Sequence, residues 1–255
     1  MRNFISNIQM LFNFYPKKII TGLRNLPYFY QSKKAFKKSL GNYPDFKISR
    51  NYFCLTDRNE AGGSLPKHYF RQDLYFAQKI FENQPLKHVD IGSRIDGFVA
   101  HLASFMEVEE VDVRPLESTI KNVRFVQADL MDSNFHLKND CQSVSCLHVI
   151  EHLGLGRYGD TIDANGHLKG LDTIYRLLQP GGYFYFSVPI GNQRIEYNAH
   201  RVFSVDYLLN YFSSKYELLT FSYLDDNDVL HENIDPKNET IRCRYGCGLF
   251  ILKKI

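Results

Sequence analysis

Tryptophan, cysteine and long apolar runs are scarce in this sequence. It has no tryptophan and five cysteines in 255 residues, and no apolar run approaches the ~20 residues needed to span a bilayer. Its N-terminal residues carry polar Asn and Gln and lack a small-residue cleavage site, which makes a poor signal peptide. The cysteines are odd in number and irregularly spaced, which argues against a disulfide framework. Together these absences predict a cytoplasmic protein.

Acidic residues are almost absent from the first fifty positions. That segment holds ten Lys and Arg residues against one acid, Asp45, so its net charge is +9, whereas the remainder carries −6. Helical spacing of apolar residues from Phe4 to Tyr15 stops at Pro16, and a second helical stretch is predicted near 28–40. This basic, aromatic segment suits peripheral contact of residues 1–40 with an anionic inner membrane face. The alternative is a helical cap packed on the acidic remainder.

A regular alternation of strand-like and helical segments follows an irregular stretch at 42–65. It opens with an amphipathic helix from Lys67 to about Phe81, and the pattern predicts an α/β fold with a doubly wound, mostly parallel, seven-stranded sheet. We divide the chain into a helical N-terminal extension, 1–66, and a second domain, 67–255. The predicted strands are 88–92, 109–113, 123–128, 143–150, 183–190, 216–224 and 247–254, and the predicted helices between them are 98–106, 167–178 and 205–212.

Three carboxylates are predicted at the ends of neighbouring strands. Asp90, Asp112 and Asp129 each stand at or near the carboxyl end of one of the first three strands, and that edge of an open parallel sheet carries the ligand crevice. Three carboxylates suit a ligand with a cationic group, a ribose and an exocyclic amine. A dinucleotide suits them less well, because the first turn reads GSRIDG rather than G-x-G-x-x-G.

The segments VDIGS, VDVRP, QADL and CLHVIEHLG and a later L-x-P-G-G element occur in a recognisable order. Over residues 67–255 this series resembles the class I S-adenosylmethionine-dependent methyltransferase superfamily. More narrowly, HVIEHLGLGRYGDTID and the later NAHRVFS resemble a group of methyltransferase-like proteins classed as a domain of unknown function. The resemblance implies a Rossmann-like methyltransferase fold with S-adenosylmethionine as cofactor.

The resemblance also assigns residues to that cofactor. It implies that Asp90 and Gly92 lie near the methionine moiety and that Asp112 lies at the ribose. It places Asp129 and the backbone of Leu130 at the adenine. Ser93, Arg114 and His148 complete the predicted cofactor set. Arg94 stands where a glycine is common, which predicts a narrower pocket or weaker cofactor binding.

Two polar clusters follow the fourth and fifth predicted strands and supply candidate catalytic groups. Methyl transfer to a hydroxyl needs an in-line approach and a base, and a histidine suits the second task. His148 and His200 are the leading candidates; the alternative is that either one merely orders a loop. Arg201 could bind an anionic acceptor or simply pair with Asp160 or Asp163. The predicted catalytic set is His148, His200, Glu151, Asp160 and Arg201.

Other motifs in the chain suggest metal or phosphate chemistry, but we predict no metal site. His148, Glu151 and His152 spell H-x-x-E-H, yet glycines interrupt the helix that two ligands four residues apart would need. Cys243 and Cys247 lack a second Cys/His pair with zinc spacing. The G-x-G-x-x-G at 154–159 leads into no prompt helix, so we expect a loop rather than a phosphate cradle.

We therefore predict an S-adenosylmethionine-dependent methyltransferase that methylates oxygen on a polar acceptor, such as a sugar or glycan intermediate. A small molecule or glycan is the expected partner. Nucleic acid is not expected, because the crevice-bearing part of the chain is acidic. The alternatives are a non-catalytic nucleoside-binding module of the same fold and a metal-dependent hydrolase using the H-x-x-E-H segment.

Overall fold

The protein is described by a computed structural model, which covers residues 16–41, 47–59, 67–132, 135, 141–239 and 241–255. The chain forms two compact units, Met1–Leu65 and Pro66–Ile255. Among the described residues, no helix is both long and apolar enough to cross a membrane.

The first unit contains one long helix, α1 (Pro16–Leu40), and an extended segment, 47–59. The predicted helix near 28–40 is therefore the second half of a longer one, and Pro27 lies inside it. Asn25 donates a 2.7 Å hydrogen bond to the Leu55 carbonyl, and the rings of Phe29 and Phe53 lie 4.8 Å apart, so the extended segment packs along one side of α1. The helix predicted between residues 4 and 15 lies outside the described residues.

The second unit alternates helices and strands. Short elements are common in its second half, where β6 and β7 form a separate hairpin. The elements are α2 (Lys67–Asn83), β1 (His88–Ile91), a helical turn (Ile95–Val99) leading into α3 (Ala100–Ala103), β2 (Val108–Asp112), β3 (Val123–Gln127), β4 (Cys141–Leu147), α4 (Gly166–Leu177), β5 (Leu178–Ile190), β6 (Arg194–Glu196), β7 (His200–Val202), α5 (Val205–Phe212), β8 (Tyr216–Leu224), β9 (Leu230–His231) and β10 (Gly246–Lys254).

The main sheet has the strand order β3-β2-β1-β4-β5-β10-β8-β9. The first five strands in this order, β3, β2, β1, β4 and β5, are parallel. Strand β10 runs antiparallel to both β5 and β8. The predicted doubly wound, mostly parallel sheet is confirmed, with eight strands rather than seven because the two-residue β9 pairs with β8. Chain order reverses between β1 and β4, and this switch point is where such sheets bind ligands.

Aromatic side chains fill the core on both faces of the sheet. Strands β1, β4 and β10 are buried over almost their whole length, and β5 is buried from Phe184 onward, as expected for a sheet covered by helices on both faces. Phe250 packs against Phe221 with ring centres 4.8 Å apart, and Phe186 packs edge-on against Phe212 of α5. Because aromatic pairs contribute large buried areas, the sheet is a firm support for the loops at its carboxyl edge.

Candidate functional site

A cavity of about 80 Å³ opens at the carboxyl ends of β1 to β4, at the switch point of the sheet. Residues from four separate segments line it, and of the three carboxylates predicted to converge there, Asp112 and Asp129 lie on its wall and Asp90 does not. The predicted site residues on its wall are Gly92, Asp112, Arg114, Asp129, Leu130, His148 and Asp160, and His152 and Tyr158 join them. The predicted site residues that do not line it are Asp90, Ser93, Glu151, His200 and Arg201.

Gly92 forms the floor of the cavity directly after β1. Its φ of +67° is unfavourable for other residues, and a Cβ there would lie 2.9 Å from Val149. Its N–H donates a 2.8 Å hydrogen bond to the Val111 carbonyl, which ties the turn to β2. Only glycine therefore fits this turn, and its lack of a side chain leaves room for a ligand above it.

Asp112 ends β2 on the cavity wall, and its carboxylate is held by Arg114. The Arg114 N–H and Nε donate to Asp112 Oδ1 over 2.8 and 3.0 Å, and Nη2 donates to the other oxygen. The Arg114 guanidinium also lies 5.1 Å from the centre of the Tyr158 ring. Arg114 thus occupies the acceptor atoms that a ribose would use and closes this side of the cavity.

Asp129 and Leu130 form the wall beyond β3. Asp129 Oδ1 accepts a 2.8 Å hydrogen bond from the Met131 N–H, which fixes the turn. The Leu130 carbonyl accepts from Thr173 of α4, whereas the Leu130 N–H has no hydrogen-bond partner among the described residues. A carboxylate and an unused N–H side by side offer one acceptor and one donor to a heterocyclic base.

Asp90 points into the protein and does not reach the cavity. Its carboxylate accepts from the Ser93 N–H over 3.2 Å, from the Ser93 hydroxyl over 3.0 Å and from the Ser145 hydroxyl. The predicted placement of Asp90 and Ser93 on the wall is therefore not observed, because these two residues satisfy each other below the turn. A buried carboxylate needs such donors, since solvent cannot reach it.

Asp90 belongs to a buried chain of polar groups. Glu110 lies opposite it in the register of β1 and β2, and burial together with the charge of Asp90 raises the pKa of Glu110 well above its usual value. Burial also raises the pKa of Asp90, but hydrogen bonds from Ser145 and Ser93 oppose that rise, so Glu110 is the first of the two carboxyls to hold a proton. On the other side, His88 Nε2 lies 2.8 Å from Ser145 Oγ, and burial lowers the pKa of His88 to about 3. His88 is neutral, so it supplies no positive charge beneath the floor of the cavity.

His148 follows β4 in a left-handed conformation, with φ +57°, and both of its ring nitrogens are engaged. Nδ1 lies 2.7 Å from Glu151 Oε1, and Nε2 lies 3.3 Å from the Cys247 sulfur. Burial lowers the pKa of His148, but Cys247 and Glu151 outweigh it and raise that pKa well above its usual value. Burial raises the pKa of Glu151, but His148 outweighs it and lowers that pKa. The two form a buried ion pair that leaves His148 no nitrogen for a substrate proton.

His152, rather than His148 or His200, combines a place on the cavity wall with a ring nitrogen that can accept a proton. Its Nδ1 lies 2.7 Å from the Ala199 carbonyl and must donate to it, so Nε2 is the unprotonated nitrogen of the neutral ring. His152 lines the cavity, and its ring meets Tyr158 edge-on at 5.6 Å. His200 does not line the cavity; its Nε2 lies 3.3 Å from Glu196, and burial lowers its pKa.

The Asp160 carboxylate binds the backbone N–H groups of the glycine-rich loop that follows His152. Asp160 accepts hydrogen bonds of 2.8, 3.2 and 3.1 Å from the N–H groups of Gly154, Gly156 and Tyr158. A Cβ on Gly154 would lie 1.9 Å from the Asp163 carbonyl oxygen, which explains the glycine. The donors that a phosphate cradle would present are therefore occupied by Asp160, which holds Tyr158 against the cavity.

Arg201 is buried and bonds to backbone carbonyls of the same segment. Its guanidinium donates to the carbonyls of Leu153, Ala164 and Glu151 over 2.7, 3.2 and 3.3 Å. Arg201 was predicted either to bind an anionic acceptor or to pair with an aspartate. These contacts show it bonded to backbone carbonyls instead. Among the described residues, no group of three or more His, Cys, Asp or Glu side chains could hold a metal ion.

A family model described as "Caenorhabditis protein of unknown function, DUF268" matches residues 101–254. The chain belongs to the DUF268 family. The match covers β2 to β10 and the whole His148–Asp160 segment. It agrees with the predicted resemblance to a domain of unknown function and assigns no activity. No curated protein matches the chain.

Solved structures resemble this DUF268 member in fold. N-methyltransferase NodS from Bradyrhizobium japonicum WM9, in complex with S-adenosylhomocysteine, is 12% identical with a TM-score of 0.50 over 72% of this chain and 85% of that one. The 1,6-didemethyltoxoflavin-N1-methyltransferase of Burkholderia thailandensis, with 1,6-didemethyltoxoflavin and S-adenosylhomocysteine bound, is 14% identical with a TM-score of 0.53 over 72% and 79%. The (4+2)-cyclase SpnF is 11% identical with a TM-score of 0.53 over 82% and 85%. The fold is that of class I S-adenosylmethionine-dependent methyltransferases.

Proposed function

We propose that this DUF268 protein is an S-adenosylmethionine-dependent methyltransferase that acts on an oxygen atom of a polar acceptor, such as a sugar or glycan intermediate. The observation that carries the proposal is the cavity at the switch point, where Asp112 and Asp129, which follow adjacent strands, line the same space as His152. We place the reaction in the cytoplasm, in keeping with five cysteines that are all free thiols.

The residues of the cavity fit the cofactor chemically. Asp112 would accept both hydroxyls of a ribose once Arg114 has left its carboxylate, and Asp129 and the Leu130 N–H would offer an acceptor and a donor to the adenine. Asp90, when ionised below Gly92, would favour a positive sulfur above it, although burial raises the pKa of its carboxyl.

The cavity is too small to hold the cofactor unless a side chain on its wall moves. Its volume of about 80 Å³ is well below the ~300–1,000 Å³ of ligand pockets. Binding therefore requires Arg114 to leave Asp112 and Tyr158, which would open the wall of the cavity beside the end of β2.

His152 would be the base. When bound, S-adenosylmethionine supplies an electrophilic sulfonium methyl group. The acceptor hydroxyl would lose its proton to His152 Nε2 when its oxygen takes the methyl group and the sulfur is left as a neutral thioether. The Ala199 carbonyl fixes the ring tautomer, and Glu151, whose carboxylate lies 3.9 Å from Nε2, stabilises the imidazolium that forms. Positioning of the acceptor would supply much of the remaining acceleration.

Calorimetry and thermal unfolding with S-adenosylhomocysteine test the cofactor assignment. We expect stabilisation of about 2.7 kcal/mol at roughly 100 times Kd. Asp112→Asn should weaken binding at least about tenfold, because it removes one charged acceptor. Asp96→Asn is the matched control, since Asp96 is exposed and paired with Arg94 away from the cavity. A wild-type protein that neither binds nor is stabilised would refute the proposal.

Turnover with a methyl-labelled cofactor tests the chemistry and the methylated atom. NodS and the toxoflavin enzyme are N-methyltransferases by name, so the product must be assigned as an O-methyl or N-methyl compound by NMR. We expect His152→Asn to lower kcat by about 10²–10⁴-fold while binding of S-adenosylhomocysteine is retained. An N-methyl product would overturn the oxygen assignment alone.

A second candidate function is a nucleoside-binding module without methyl transfer. His148 favours it, because both of its ring nitrogens are engaged by Glu151 and Cys247 and neither is left to take a substrate proton. The fold alone does not decide, since SpnF is named a cyclase. Tight binding of S-adenosylhomocysteine without methyl transfer over a wide panel of sugars would favour this function.

A further inference from the structure

Helix α1 is strongly cationic and has no buried residue. Its 25 residues carry seven Lys and Arg side chains and no acid. Four of the lysines, Lys33, Lys34, Lys37 and Lys38, fall within its last two turns. A soluble helix without acidic residues repels itself, so this charge points to an anionic partner.

One side of α1 is covered and another is open. Asn25, Phe29 and Lys33 contact the extended segment 47–59, through Leu55, Phe53 and Asn51 respectively. The open side carries a series spaced three and four residues apart, which keeps it on one face. We call this series the α1 stripe: Ile20, Leu23, Pro27, Tyr30, Lys34 and Lys38.

The apolar half of the α1 stripe is exposed to an unusual degree. Ile20 is 50%, Leu23 66% and Tyr30 53% exposed. Leu23 and Tyr30 also line one wall of a shallow apolar groove that Phe53 closes on the other side. Contiguous exposed apolar surface beside cations marks a site of interaction rather than an ordinary solvated face.

We propose that the α1 stripe docks on an anionic lipid surface. Ile20, Leu23 and Tyr30 would enter the interface, and Lys34 and Lys38 would lie among the anionic headgroups. Each lysine near such a surface is worth about fivefold in partitioning, and an amphipathic helix in the interfacial plane buries only its apolar side.

The apolar residues favour lipid over nucleic acid. Phosphate backbones are bound by neutralising their charge, which the lysines alone would do. Three exposed apolar side chains in line with those lysines add nothing to that contact, whereas they are what an interfacial helix inserts.

Vesicle sedimentation of the full chain tests the proposal. We expect binding to vesicles of phosphatidylcholine mixed with phosphatidylglycerol, weakening with added salt, and little binding to phosphatidylcholine alone. The double variants Leu23→Ser/Tyr30→Ser and Lys34→Gln/Lys38→Gln should each lose about tenfold or more in partitioning. The matched control, Lys121→Gln/Lys237→Gln, removes the same charge from exposed positions outside α1 and should change partitioning less than about twofold.

Circular dichroism and binding of a single-stranded RNA complete the test. All substituted side chains are exposed, so helical content should be unchanged in every variant. Equal binding to neutral and anionic vesicles would overturn the proposal, as would a loss in the control equal to that in the lysine variant. RNA binding that the lysine variant abolishes and the serine variant leaves intact, without vesicle binding, would assign the surface to nucleic acid instead.

Discussion

Two sets of similar polar side chains, one buried within the sheet and under its carboxyl edge and one on the cavity wall, differ in what surrounds them. The buried set, His88, Asp90, Glu110, His148 and Glu151, is shielded from solvent and makes its hydrogen bonds within the protein, although both Glu110 carboxyl oxygens and Glu151 Oε2 have no partner among the described residues. The wall set, Asp112, Asp129, Leu130 and His152, retains acceptors and donors that the described residues use only in part. Residue type does not distinguish the two sets; the direction in which each side chain leaves its strand end does.

The buried set should contribute mainly to the stability of the fold, and the wall set mainly to ligand binding and turnover. Substitutions in the buried set should change the free energy of unfolding, because a buried charge or polar group loses its partner. Substitutions in the wall set should change ligand binding or turnover with little effect on folding.

The largest effect is expected at Glu151. Glu151→Gln removes the charge that pairs with His148 in a fully buried site, and loss of one partner of such a pair costs about 3–5 kcal/mol. Urea unfolding measures this cost. Glu196→Gln is the matched control, because Glu196 is an exposed partner of His200, and it should stay within about 0.5 kcal/mol of wild type. Equal losses in both variants would erase the distinction between the two sets.

Acid should destabilise the protein through His88. Its pKa is lowered to about 3 in the folded state, against ~6.5 when unfolded, so the unfolded state binds the extra proton between those values. Stability therefore falls as pH decreases through this window, by about 3 kcal/mol between pH 7 and pH 4 for this group. The difference in unfolding free energy between wild type and His88→Gln, measured against pH, isolates this contribution. A difference that does not vary with pH would show that the pKa of His88 is the same in the folded and the unfolded protein.

The fold could be predicted because its signals are local. The buried strands are continuous apolar runs and the helices between them are amphipathic, so each element is visible within its own segment. Strand β9 was missed because Leu230 and His231 carry no pattern of their own and become a strand only by pairing with β8. The start of α1 was missed because Pro27 lies inside the helix, where proline is normally unfavourable.

The site was predicted where position alone decides it. Gly92, Asp112 and Asp129 follow from their places at strand ends. Asp90 points inward because it bonds to Ser145, which is 55 residues away in sequence. His148 has no free ring nitrogen because one of them contacts Cys247, which is 99 residues away. The tautomer of His152 is fixed by Ala199, 47 residues away. Spacing in the sequence contains no signal for such contacts, although the H-x-x-E-H segment did draw attention to His152.

Removing Arg114 should strengthen nucleoside binding. Arg114→Ala frees the Asp112 carboxylate and widens the cavity, and a partly exposed ion pair is worth up to about 1 kcal/mol, so we expect the Kd for S-adenosylhomocysteine to fall up to about fivefold. Arg114→Lys is the control that keeps the charge and should have a smaller effect. Calorimetry measures both. A weaker complex in the alanine variant would mean that Arg114 holds the ligand rather than competing with it.

The smallest effect is expected at His200, which tests whether contact with the cavity decides function. His200 lies beside Glu196 and the Tyr245 ring and does not line the cavity, whereas His152 does. If a base must reach the acceptor hydroxyl directly, His200→Asn should change kcat less than about threefold, against the 10²–10⁴-fold loss in His152→Asn. Single-turnover rates at saturating cofactor measure the two variants under the same conditions. The reverse order would make His200 the base and would require the β6–β7 hairpin to carry it to the cavity during turnover.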